Sequence, residues 1–78
     1  MTIELKILKI ERLNNSYAGN PKFWIEAQDD NGNFYKGKTK TNGSIGYFLG
    51  WYSEGKKYDF DFHITKSGNL IFDNVKNI

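Results

Sequence analysis

Apolar and polar residues alternate with period two along much of this chain, the spacing of a strand with one buried face. Ile3, Leu5 and Ile7 alternate with Glu4 and Lys6. The phase then flips, so that Leu8 and Ile10 are apolar while Lys9 and Glu11 are polar. A strand can change phase only by inserting a residue. The pattern therefore predicts one long strand over Thr2–Arg12 with a β-bulge near Ile7 and Leu8 that bends it. Ile3, Ile7 and Ile10 also fit helical spacing, which leaves a short helix as the alternative.

Residues 14–21, rich in Asn, Ser, Gly and Pro, read as a loop. Two strands follow, over 22–28 and 33–40, joined at Asp30-Asn31-Gly32. A two-residue Asn-Gly turn would pair core positions with lysines. A three-residue loop with Gly32 left-handed sets Ala27 opposite Tyr35, Ile25 opposite Gly37 and Phe23 opposite Thr39. This register keeps the lysines out of the core. It places Glu26 opposite Lys36, as an ion pair, and Trp24 opposite Lys38, as a cation–π contact.

Residues 41–55 are the least regular part. Ser44 is placed to cap one or two helical turns with Ile45, Phe48, Leu49 and Tyr52 on one face. Gly46 and Gly50 each weaken a helix by about 1 kcal/mol relative to Ala. They also suit a close backbone approach, so the segment is expected to be a short helix or an irregular plug. Lys57–Ile64 alternates most regularly, with Tyr58, Phe60, Phe62 and Ile64 facing the core. A tight turn at Lys66-Ser67-Gly68-Asn69 leads into a last strand over 70–75.

Three strands, an insert and two more strands, with a bent first strand, predict an all-β fold. The expected form is one domain, a five-stranded, partly open OB-type barrel with a short helical or irregular insert between strands 3 and 4. An SH3-like barrel is the alternative. The size suits this: a 78-residue domain buries only about 60% of its unfolded surface. Without cysteines there is no disulfide to hold it. Six Phe, five Tyr and two Trp supply large buried areas instead.

A resemblance accompanies the strand pattern. Arg12-Leu13-Asn14-Asn15-Ser16, then Gly19-Asn20-Pro21-Lys22-Phe23, the Asp30…Gly32 turn and Thr39 are similar to a set of small, mostly uncharacterised OB-like proteins of bacteria, phages and mobile elements. Their pattern is R-L-x-x-S, G-N-P-R-Y, a D-G turn and a Thr. It covers about the first half of the chain, with Lys22 and Phe23 in place of the Arg and Tyr. A phage or mobile-element origin is what this implies, and the Lys-, Asn- and Ile-rich composition points to an AT-rich coding sequence.

The predicted outer face of strands 2 and 3 carries Trp24, Phe34, Lys36, Lys38 and Lys40. Flat rings interleaved with positive charge suit single-stranded DNA or RNA, read with little sequence preference: bases stack on the rings and lysines follow the phosphates. Tyr17 and Lys22 are placed to extend this groove. The net charge of +2 gives no domain-wide basicity, so the argument rests on where the charges sit. The plain alternative makes Trp24 and Phe34 packing residues and the lysines guards of a strand edge. Trp51 and Tyr52 form another candidate stacking pair, with a place in the core preferred for them.

Asp59, Asp61 and His63 share a strand face, but their spacing of roughly 7 Å is wide for one ion, so no metal or other cofactor is expected. If the two aspartates face the groove they repel phosphates, so their placement tests the nucleic-acid reading. A single histidine, no cysteine nucleophile and no phosphate-cradling glycine loop argue against an enzyme. The competing function is a protein–protein interaction module, such as a phage or mobile-element inhibitor or an accessory subunit, with no nucleic-acid binding. The N-terminal segment has no apolar run of signal-peptide or membrane-span length, and a cytoplasmic location is expected.

Overall fold

In a computed structural model, which describes residues 2–14, 19–41 and 45–76, five strands close into a barrel. They are β1 (Thr2–Arg12), β2 (Phe23–Gln28), β3 (Phe34–Thr39), β4 (Lys57–Ile64) and β5 (Leu70–Lys76). The order around the barrel is β1-β2-β3-β5-β4, and β1 closes it by pairing with both β2 and β4. This is the OB-type barrel, not the SH3-like one.

The bend in β1 makes that double pairing feasible. Ile7 lies opposite Ala27 while Lys9 lies opposite Glu26, so Leu8 is the extra residue of a bulge. Before the bulge Leu5 and Ile7 point into the core; after it Ile10 faces Ile25. The first half of β1 pairs with β4, from Thr2 opposite Asp61 to Lys6 opposite Lys57.

The β2–β3 register follows the three-residue loop. Gly32 has φ of 87°, its amide donates to the Asp29 carbonyl at 3.2 Å, and Asp29 N–H donates to the Asn33 carbonyl at 3.0 Å. Ala27 stands opposite Tyr35, Ile25 opposite Gly37, Glu26 opposite Lys36 and Trp24 opposite Lys38. The Phe23 amide reaches the buried Thr39 hydroxyl at 3.0 Å. The β4–β5 turn repeats the device: Gly68 has φ of 87°, and Thr65 plays the part of Asp29, with its amide on the Asn69 carbonyl at 2.8 Å.

Phe60 occupies the centre of the core, 5.1 Å from the Phe72 ring and 6.1 Å from Tyr58. β5 closes the barrel by running parallel to β3, with Gly37 beside Leu70, Lys38 beside Ile71 and Thr39 beside Phe72. Gly37 permits this approach, since a Cβ there would fall within contact distance of the Leu70 carbonyl group and 2.9 Å from Leu70 Cδ2.

The 41–55 segment differs from its predicted form. It contains two single 3₁₀ turns, Ile45–Tyr47 and Trp51–Ser53, and no α-helix among the described residues. Ser44 lies outside them. Only Ile45 and Leu49 enter the core; Phe48 and Tyr52 are exposed. Gly46 packs so tightly on the Pro21 carbonyl that a Cβ has no room, which ties the insert to the chain entering β2. Ile64 also departs from its predicted core position. It shares a face with Phe60 and Phe62 but lies past the end of the packed core, 57% exposed. No helix among the described residues is long and apolar enough to cross a membrane.

Candidate nucleic-acid interface

The outward residues of β2 and β3 do not stop at the edge of β3. Trp24 faces Lys38, Lys38 lies beside Ile71, and Ile71 faces His63. These four side chains form one transverse row over β2, β3, β5 and β4. With neighbouring strands about 4.8 Å apart, the row is about 14 Å long.

Two adjoining depressions lie along it. The larger, about 500 Å³, is lined by Trp24, Phe34, Lys36, Lys38, Ile64 and Ile71, and by the β4–β5 turn at Gly68 and Asn69. The smaller, about 310 Å³, is lined by Lys22, Lys38, Lys40, His63 and Ile71, with Thr39 and Thr41. Lys38 and Ile71 belong to both, so the two make one open groove. The larger hollow forms because β5 meets β3 only from Gly37 onward, leaving the first half of β3 without a β5 neighbour.

Six of the residues expected at this face, Lys22, Trp24, Phe34, Lys36, Lys38 and Lys40, line the groove. Tyr17 lies outside the described residues. Phe34 is 63% exposed and Trp24 is half-buried. Neither is a core residue, although each belongs to a strand whose other face is.

The predicted cross-strand contacts are replaced. Among the described residues no ion pair joins Glu26 to Lys36 and no cation–π contact joins Trp24 to Lys38. Glu26 instead accepts a 3.0 Å hydrogen bond from the Trp24 indole Nε1. The pairing register is as expected, but the indole N–H is closer to hand for the carboxylate than an exposed ammonium on the next strand. An exposed ion pair is also worth little against the entropy of fixing both side chains.

No carboxylate lines the groove among the described residues. Glu11, opposite Trp24 on β1, stands on the side away from the lysines. Asp59 and Asp61 lie on the β1–β4 side of the barrel, opposite Glu4 and Thr2. The Thr2 hydroxyl bonded to Asp61, and then Lys76 at 3.3 Å, hold its carboxyl below the usual aspartate range. His63 turns to Asp73, 2.7 Å from Nδ1 to Oδ2. Asp61 and His63, two of the three side chains considered as metal ligands, thus have separate partners. No cluster of three or more such groups suited to a metal ion occurs among the described residues.

Sequence reasoning missed His63, Ile64 and Ile71 as groove residues. Ile71 arrives through the parallel β3–β5 pairing, which joins positions more than thirty residues apart, and His63 and Ile64 follow through their pairing with β5. The one local signal for it was Gly37 in a strand interior, a mark of close backbone approach.

Trp51, expected in the core, is 86% exposed. It stands edge-on to Tyr52 with ring centroids 6.2 Å apart, and Lys56 Nζ lies 5.7 Å from the Tyr52 ring centroid. With Tyr47 and Phe48 these rings form a second aromatic surface on the insert. Ile45 and Leu49 already fill the core places the segment reaches, and short 3₁₀ turns leave the neighbouring rings no inward path.

No family model, no curated protein and no solved structure matches the chain.

Proposed function

We propose that the protein binds single-stranded nucleic acid, DNA or RNA, with little sequence preference, in the cytoplasm and without catalysis. One observation carries this reading. The rings of Trp24 and Phe34 and four lysines, on β2, β3 and the chain beside them, line one open groove that contains no carboxylate among the described residues. Rings that stack any base, beside a track of positive charge, are the elements of sequence-tolerant single-strand binding. The modest net charge of +2 fits a local footprint on an otherwise balanced surface.

The test is an anisotropy titration of labelled oligo(dT) and oligo(U) at low salt. Binding that weakens steeply with salt is expected, together with a loss of about 1–3 kcal/mol for Trp24→Ala, the worth of one stacked base. No binding at low salt sinks the proposal.

The second aromatic surface favours a second reading. Tyr47, Phe48, Trp51 and Tyr52 suit a protein partner, as an inhibitor or accessory subunit would need. That reading expects partner capture insensitive to salt, abolished by Trp51→Ala and unaffected by Trp24→Ala.

A further inference from the structure

We propose that the smaller depression is a phosphate subsite gated by protonation of His63. The inference rests on the reading above and adds where a phosphate sits and what controls it. Lys22 lines it from the chain entering β2, Lys38 from β3 and Lys40 from just past β3, and His63 lines it from β4. Thr39 and Thr41 complete the wall. Three lysines, whose long side chains can bring their ammonium groups over the hollow, and one ring that gains charge on acidification, with no carboxylate lining the hollow among the described residues, are chemistry for an anion with several oxygens.

Asp73 determines how His63 takes part. Nδ1 lies 2.9 and 2.7 Å from the two carboxylate oxygens of Asp73. An ionised carboxylate only accepts, so Nδ1 carries the hydrogen. In the neutral ring Nε2 is then a bare acceptor, which offers a phosphate oxygen nothing. Protonation makes Nε2 a charged donor without disturbing the bond to Asp73. One proton thus converts a neutral or repulsive neighbour into a charge-assisted hydrogen bond.

The surroundings leave this ring as the group that changes. Asp73 faces it from β5, and Lys22, Lys38 and Lys40 face it from the β2 and β3 side. On its own strand Asp61 is engaged by Lys76 and Thr2. On the β1 side the ladder ends at Thr2, opposite Asp61, and Thr2 carries no charge. His63 is the only histidine in the chain. Phosphate affinity therefore rises when the ring gains its proton, and by reciprocity a bound anion favours the protonated ring.

Two measurements test this. Sulfate, which keeps its charge between pH 5 and 8, is added during an NMR titration of the His63 ring resonances. Sulfate should raise the midpoint; an unchanged midpoint overturns the subsite. In parallel, oligo(dT) affinity is measured at pH 8 and pH 5.5. The wild type should gain about tenfold, the scale of one charge-assisted hydrogen bond, and His63→Gln should stay within about twofold. Binding with equal pH dependence in both proteins, or with none, overturns the gate and leaves the nucleic-acid reading standing. No oligonucleotide binding at either pH, with sulfate still raising the midpoint, ends that reading and keeps the anion subsite. Oligo(dT) with and without a 5′-phosphate separates the sources: a gain confined to the phosphorylated form assigns a terminal phosphate, and a gain in both assigns the backbone. Asp73→Asn should tighten binding at pH 8, since it removes a carboxylate and frees the tautomer; weaker binding there contradicts the role given to Asp73.

Discussion

The indole Nε1 of Trp24 donates a 3.0 Å hydrogen bond to Glu26, two residues further along the same face of β2. The bond fixes the ring over the groove and occupies the one carboxylate that stands beside Lys36 in the ladder. Glu26→Gln keeps an acceptor for the indole and removes the negative charge. Oligonucleotide affinity should therefore rise by a few-fold at low salt, while Glu26→Ala, which also frees the ring, should gain less. Anisotropy titrations of the two variants check this, and equal gains would show that Glu26 acts through charge alone.

Lys36 and Lys38 line the groove at successive outward positions of β3. If each neutralises one phosphate, replacing both by Gln should flatten the plot of log affinity against log salt by about 1.4, at about 0.7 per phosphate on a single strand. Lys56 and Lys57 line neither depression, so the same double substitution there should leave the slope unchanged.

Gly37 lets β5 pass beside β3 and so holds both depressions in place. Gly37→Ala inserts a methyl group against the Leu70 backbone, an overpacking that costs about 1–3 kcal/mol. The expected result is a lower unfolding midpoint in urea with a reduced oligonucleotide affinity at full occupancy of the folded state. Unaltered stability would mean that the β3–β5 seam yields without resistance.

Asp29 anchors the β2–β3 turn. Burial alone would raise its pKa, but hydrogen bonds from the Asn33 amide and side chain, the Asn31 amide and the Tyr35 hydroxyl outweigh it and hold the carboxyl below its ordinary value. A depressed folded-state pKa contributes stability above the unfolded value, about 4 for an aspartate, which is lost as pH falls through the folded value. The melting temperature of the wild type should thus drop more steeply as pH falls below about 4 than that of Asp29→Asn. Parallel curves would remove Asp29 from the acid response.

The β2–β3 hairpin was legible because its determinants are local. A Gly at the left-handed position of a three-residue loop sets the register, and every outward lysine follows from it. The bulge in β1 was legible because a change of phase has only one remedy in a strand. The insert was not. Ile45, Phe48, Leu49 and Tyr52 have helical spacing, yet a Gly at 46 pressed on Pro21 and an extended Gly50 leave only single 3₁₀ turns. Two of those four apolar residues then face water. His63 and Ile71 join the groove through pairing between distant strands, for which the sequence offers no period to read.

Trp24 lies in the groove and Trp51 on the insert, and the chain has only these two tryptophans. Intrinsic fluorescence therefore distinguishes the two aromatic surfaces directly. In Trp51→Phe the remaining emission comes from Trp24, and in Trp24→Phe it comes from Trp51. Titration with oligo(dT) at low salt should quench Trp51→Phe saturably, through stacking of a base on the indole, and leave Trp24→Phe unquenched. Quenching confined to Trp24→Phe, or absent from both proteins, would contradict a nucleic-acid groove on β2, β3 and β5.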